Sequence, residues 1–239
     1  MPRPPRPSLI VRQRVTLLVL LASTDLGFAQ LSLSLSPERL WELEQSVSAR
    51  AGPDASQTNA LLQLAEHYHE AATRGQKDTA EKAEGFLRRL LALEPRHATA
   101  RALLGSTLTL KARDAHFPTT KLRLAREGFR ELDAAILQAP DDYRPRLVRG
   151  LNSAAVPRMF DRQKLAEEDL GWVHARPISE ADFGGRQMRQ RVAWEYGQLL
   201  FRVKNTDKAR EVWQAGITFD PGSTLAASIR SELNKIGKP

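Results

Sequence analysis

At 239 residues, with 41% hydrophobic and 27% charged side chains, the chain can bury a core and is neither a disordered segment nor an integral membrane protein. Its formal net charge of +8 is dispersed, which fits solubility rather than nucleic-acid recognition. Cysteine is absent, excluding disulfides, a thiol nucleophile and a lipid anchor on an N-terminal cysteine.

The chain opens on a basic, proline-rich head, MPRPPRPSLIVRQR, followed by an apolar run from Val15 to Ala22 and small residues at Gly27 and Ala29. That order reads as a secretory signal over residues 1–29, whose removal leaves Gln30 first and a net charge of +5. The apolar run falls short of the ~20 residues that a membrane-spanning helix needs. The expectation is an exported, periplasmic bacterial protein with no membrane span after signal removal; if the segment is not cleaved, the protein is cytoplasmic with a basic leader.

Next, residues 30–54 contain SPERLWELEQSVSAR, with Ser36 as N-cap, Pro37 at the first helical position, and Leu40, Leu43 and Val47 on one face. From residue 55 the pattern repeats in helix pairs. The first, 55–97, places Leu64, Ala65 and Tyr68 on one helix and Ala83, Leu87 and Leu90 on the other, and closes at Pro95. The second, 98–142, carries Leu104, Gly105 and Leu108, then Gly128, Leu132 and Ala135, and closes at Pro140. The third, 143–180, has Gly150, Ala166, Leu170 and Val173, with Arg149 where an apolar residue is expected. In the fourth, 187–223, Tyr196, Gly197, Leu199 and Leu200 precede a KNTD turn and then Ala209, Val212, Trp213 and Gly216, with Pro221 as the close. Residues 224–239 supply Leu225, Ile229 and Leu233 at helical spacing for an end cap.

This order of small, aromatic and proline positions resembles the tetratricopeptide repeat, a unit of roughly 34 residues built from two antiparallel helices. The run from GSTLTLKARDAHFP through VRGLNSAAVP is also similar to a group of uncharacterised exported bacterial repeat proteins. The fold expected is therefore all-α: a right-handed α-solenoid of about four such pairs with flanking capping helices. Spacing between the small contact residues is 18, 23, 16 and 12 along the four pairs. The excess is expected in loops between the two helices of a pair.

The longest excess holds KARDAHFP, residues 111–118. Pro118 forces Phe117 out of the helix, Thr119 or Thr120 can cap the next one, and Phe117 can fold back over the corner. The same residues, Arg113, Asp114, His116 and Phe117, are an accessory binding lobe if the loop contacts a ligand. EHYHE, residues 66–70, lacks the i, i+4 histidine pair of a zinc site, so no metal and no cofactor is expected. Glu167, Glu168 and Asp169, like Asp141 and Asp142, read as exposed helix starts or faces. Arg186, Arg189 and Arg191 read as an anion site or the start of an exposed helix. No phosphate loop, nucleophile elbow or acid–base constellation is visible, so no enzyme is expected.

The resemblance implies binding of a protein or peptide on the concave face made by the first helix of each pair. Its inward positions are Glu66 and His69, Ser106 and Thr109, Arg144 and Leu151, then Arg191, Trp194, Gln198 and Phe201. Trp194 and Phe201 either pack against the terminal helix or anchor a bound peptide. The function implied is a non-enzymatic scaffold. The alternative is a small-molecule-binding accessory of a periplasmic solute transporter, with an apolar pocket near the corner at residues 111–118.

Overall fold

The structure, a computed structural model, describes residues 35–49, 55–177 and 185–237. The leader expected over residues 1–29 lies outside them. Ten α-helices and one 3-10 turn make up the described residues, with no strand among them. They are α1 (Pro37–Ala49), α2 (Ala55–Thr73), α3 (Thr79–Leu93), α4 (Ala98–Asp114), α5 (Pro118–Gln138) and α6 (Tyr143–Ala155). The 3-10 turn Arg158–Phe160 leads to α7 (Gln163–His174), α8 (Gly185–Arg202), α9 (Thr206–Phe219) and α10 (Thr224–Ile236).

Local chemistry sets the helix ends. Ser36 Oγ accepts the Arg39 N–H at 3.2 Å and Ser223 Oγ that of Ala226 at 2.9 Å, while Asp142 accepts from Arg144 N–H. The side chain of His97 does the same for α4 through Nδ1, which accepts from Ala100. Pro95, Pro140 and Pro221 each stand two residues beyond the last residue of α3, α5 and α9, where a missing N–H and the ring forbid another turn.

The most extensive contacts fall within α2–α3, α4–α5, α6–α7 and α8–α9. Links of three to seven residues join these partners, so each pair is an antiparallel hairpin. Each first helix also touches the next first helix, α2 with α4, α4 with α6 and α6 with α8. The second helices make no comparable contacts with one another. Helix α4 is therefore enclosed on most sides, and Ser106, Thr107 and Thr109 are buried along with its leucines.

Several expectations are corrected by the geometry. The 23-residue spacing of the second pair is not a loop: the corner is only residues 115–117, and the excess is extra helix in α4 and α5. Phe117 does not fold back but is 72% exposed, and it is itself the N-cap, without a side-chain bond from Thr119 or Thr120. At the second crossing the two backbones do meet: a Cβ on Gly105 would lie 2.6 Å from the Gly128 carbonyl oxygen, and one on Gly128 2.5 Å from that of Gly105. In the fourth pair Gly197 instead makes room for the Trp213 indole, while Ala209 is buried elsewhere on α9.

Two apolar cores result. One is built from α1 to α5, around Leu61, Leu64, Leu87, Leu108 and Leu132; the other from α6 to α10, around Leu170, Leu199, Leu200, Trp213 and Ile229. Charge joins them. Asp169, expected on an exposed face, is fully buried; its oxygens accept from Arg149 Nε at 2.6 Å and Arg146 Nη1 at 3.0 Å. Arg149 also reaches Asp133 on α5, which Arg162 holds through both terminal nitrogens at 2.8 and 2.9 Å. The Arg162 guanidinium in turn covers the Phe129 ring at 4.7 Å. Arg149 departs from the apolar pattern because it carries this connection.

Candidate functional site

The residues expected on the inward face lie on α2, α4, α6 and α8. On α2, His69 Nε2 lies 2.9 Å from Ser106 Oγ on α4. Asn152 on α6 donates through Nδ2 to Thr109 Oγ1 at 2.6 Å and lies 3.4 Å from Ser106 Oγ. A hydrogen-bonded chain thus crosses three successive first helices. Ser106 and Thr109 form its floor, at 7% and 9% exposure, and are occupied by these contacts rather than offered to solvent.

Around that floor stand half-buried charges. Burial raises the Glu66 carboxyl to about 7 against an opposing pull from Arg144. Burial lowers His69 to about 4, and the positive charge of Arg191 pushes the same way. Arg191 is itself lowered by burial, which Glu195 and Glu70 counteract; Glu195 is raised by burial and pulled back by Arg191 and Arg202. Arg191 on α8 is therefore within electrostatic reach of His69 and Glu70 on α2.

The remaining predicted residues separate. Leu151, Trp194 and Gln198 are half-buried, and Phe201 is at the edge of exposure. Trp194 and Phe201 pack on Trp213 of α9, with ring centroids 6.2 and 5.9 Å away. Arg113 belongs to the scaffold: its Nη2 donates to the Ala72 carbonyl at 2.9 Å, and its Nε reaches Asp114 at 2.7 Å. His116 and Phe117 stay exposed at the corner. Arg189 lies over the Phe219 ring at 5.6 Å, and Arg186 is exposed, so the three arginines of GGRQMRQRV do not converge.

The Ser106–His69 pair is the arrangement closest to catalytic chemistry. A histidine held near 4 is a weak base at neutral pH, and the serine is enclosed. His67, by contrast, packs edge-on against Tyr68. Among the described residues no group of three His, Asp or Glu is placed to hold a metal ion. Sequence motifs pointed to neither Asn152 nor Glu195, and to Glu70 only as part of EHYHE. Asn152 had a signal, as a lone amide within an apolar and small-residue helix end, LNSAA. Searches against protein-family models, curated proteins and solved structures found no match.

Proposed function

We propose that this chain is an exported, non-enzymatic scaffold of the tetratricopeptide type, with its four hairpins wound as a right-handed solenoid between the caps α1 and α10. It holds a protein or extended peptide on the face of α2, α4, α6 and α8. The supporting observation is the asymmetry of packing: first helices touch in series and second helices do not, which turns the first helices inward. That inner face carries half-buried charge of both signs, from Glu66, Arg144 and Arg191, with Phe201 at its α8 end. A mixed strip of this kind suits an extended segment with alternating polar and apolar side chains. Export rests on the basic and apolar order of residues 1–29.

The test is site-specific photocrosslinking in the producing cell. A crosslinker at Gln198 or Phe201 is expected to trap a defined peptide, identified by mass spectrometry, while one at the exposed Gln214 on α9 traps none. Equal yields from the two faces would overturn the assignment of the binding surface.

A further inference from the structure

The corners between first and second helices lie along one edge of the molecule. Arg113, near the end of α4, donates to the last carbonyls of α2, and Arg202, at the end of α8, donates to the Ala154 carbonyl of α6 at 3.1 Å. These helices therefore end side by side. At the α6–α7 corner Met159 is 67% exposed, and at the α8–α9 corner Val203 is exposed too. Between them opens a hollow of about 430 Å3 lined by Arg158, Gln163, Arg202, Val203 and Lys204.

Three cations stand around one hollow, none with a carboxylate at salt-bridge distance among the described residues, whereas Arg88, Arg101, Lys111, Arg146, Arg149 and Arg162 each have one; Glu195 reaches Arg202 only through its field. Burial lowers Arg202, with Glu195 pulling it up and Arg158 pushing it further down, and Arg158 Nη2 donates to the Arg202 carbonyl at 3.3 Å. Backbone geometry adds a second peculiarity. Helix α2 ends with Gly75 at φ 76°, bonded through Gly75 N–H to Ala72 and Gln76 N–H to Ala71. Helix α8 ends with the same pair of bonds, Lys204 to Phe201 and Asn205 to Leu200, but the left-handed position, at φ 69°, is a lysine. Glycine is the easy residue there, so the lysine side chain stands against the local preference.

We propose that this edge docks on an anionic lipid bilayer, with Met159 and Val203 entering the headgroup layer and Arg158, Arg202 and Lys204 meeting lipid phosphates. A bilayer fits better than a protein partner because the apolar side chains stand on separate corners instead of forming one flat patch. Each can enter a fluid interface independently, while surrounding cations remain at phosphate level. Phe117, on the neighbouring longer hairpin, adds a third apolar tip. Exposed Asp161 opposes the field, but the cations outnumber it. The surface is separate from the inner face, and docking does not depend on the scaffold reading.

The full chain has no cysteine, so a single engineered thiol can carry an environment-sensitive fluorophore. Labels at Met159→Cys and Phe117→Cys are expected to brighten and shift to the blue on vesicles of equal parts phosphatidylglycerol and phosphatidylcholine, but not on phosphatidylcholine alone. A label at Asp141→Cys, at the opposite ends of the hairpins, should stay unchanged. Arg158→Gln with Lys204→Gln should weaken vesicle binding on the order of tenfold. Lys204→Gly should raise the unfolding temperature and still weaken vesicle binding, a combination that a purely structural lysine would not give. The proposal is overturned if label 141 responds as strongly as label 159, since the basic leader would then be drawing an unoriented chain to the lipid. It is equally overturned by silent labels, by unchanged binding in the charge variants, or by soluble glycerol phosphate competing at matched concentration, which would mark a small-anion site.

Discussion

At the second crossing a single hydrogen atom is all that separates two helices. Gly105 and Gly128 face each other's carbonyl oxygens, so an added methyl from either side strikes backbone, which cannot rotate away. Gly105→Ala is expected to destabilise the fold by about 3 kcal/mol, the upper end of overpacking, measured by denaturant unfolding. Gly85, on the exposed side of α3, has nothing within 4 Å of its would-be Cβ. There the same substitution should stabilise by about 0.5–1 kcal/mol through helix propensity alone. Equal effects at the two positions would mean that the crossing is not tight. Residue 169 teaches the converse. In the run Glu167, Glu168, Asp169 all three acids look alike, yet only Asp169 turns inward, because arginines 23 and 20 residues upstream reach it from α6. A partner at that distance leaves no mark in local composition, so this buried acid was illegible in the sequence.

Helices were more legible than their lengths. Apolar spacing marked the helices, and the closing prolines at 95, 140 and 221 marked the ends of three of the four hairpins, since both signals arise from local sterics. What misled was the polar stretch Lys111 to Asp114, which looks like a loop but completes α4. Lys111 is neutralised by Glu84 at 2.6 Å, and Arg113 by the free carbonyls of α2, so tertiary partners pay for the last turn. Register alone puts Glu66 and His69 on neighbouring turns of α2, and their environment has a consequence for pH. Glu66, raised from 4.5 to about 7, binds its proton more tightly when folded; its burial penalty is absent below about pH 4.5 and develops as pH rises through 7. His69, lowered from 6.5 to about 4, behaves oppositely: its penalty is absent above pH 6.5 and develops as pH falls through 4. Each reaches about 3 kcal/mol, so across this range one grows as the other fades and the parent shows little net slope from the two. Single variants unmask them. Relative to the parent, Glu66→Gln should gain about 2–3 kcal/mol between pH 4.5 and 7, and His69→Gln a similar amount between pH 6.5 and 4. Stability-versus-pH curves that run parallel to the parent's would contradict both burial effects.

Taken whole, the molecule is two apolar cores joined by α6, whose Val148 and C-cap Val156 pack on the first core, and by a line of charge. Asp133 on α5 belongs to the first core's helices, while Arg149 and Arg162 belong to the second hairpin set, and the carboxylate holds both. Arg162 is buried, so removing the acid leaves a desolvated guanidinium with no carboxylate, facing only the Ser153 hydroxyl at 3.5 Å and the Phe129 ring. In arrays stabilised by neighbour contacts, weakening one junction lowers cooperativity before it unfolds either side. Asp133→Asn is therefore expected to split one unfolding transition into two. The tryptophans provide the means to see this, because Trp172, Trp194 and Trp213 all pack with the second core, whereas Trp41 alone lies on α1, where it is exposed. Fluorescence reports mainly the second half and far-ultraviolet circular dichroism reports all helices. In the parent the two midpoints should coincide; in the variant the fluorescence midpoint should fall below that of the dichroism, by an amount corresponding to about 3 kcal/mol of lost coupling. If both signals shift together, the cores are coupled by α4–α6 and α5–α6 packing, and the charge line only tunes a junction that would hold without it.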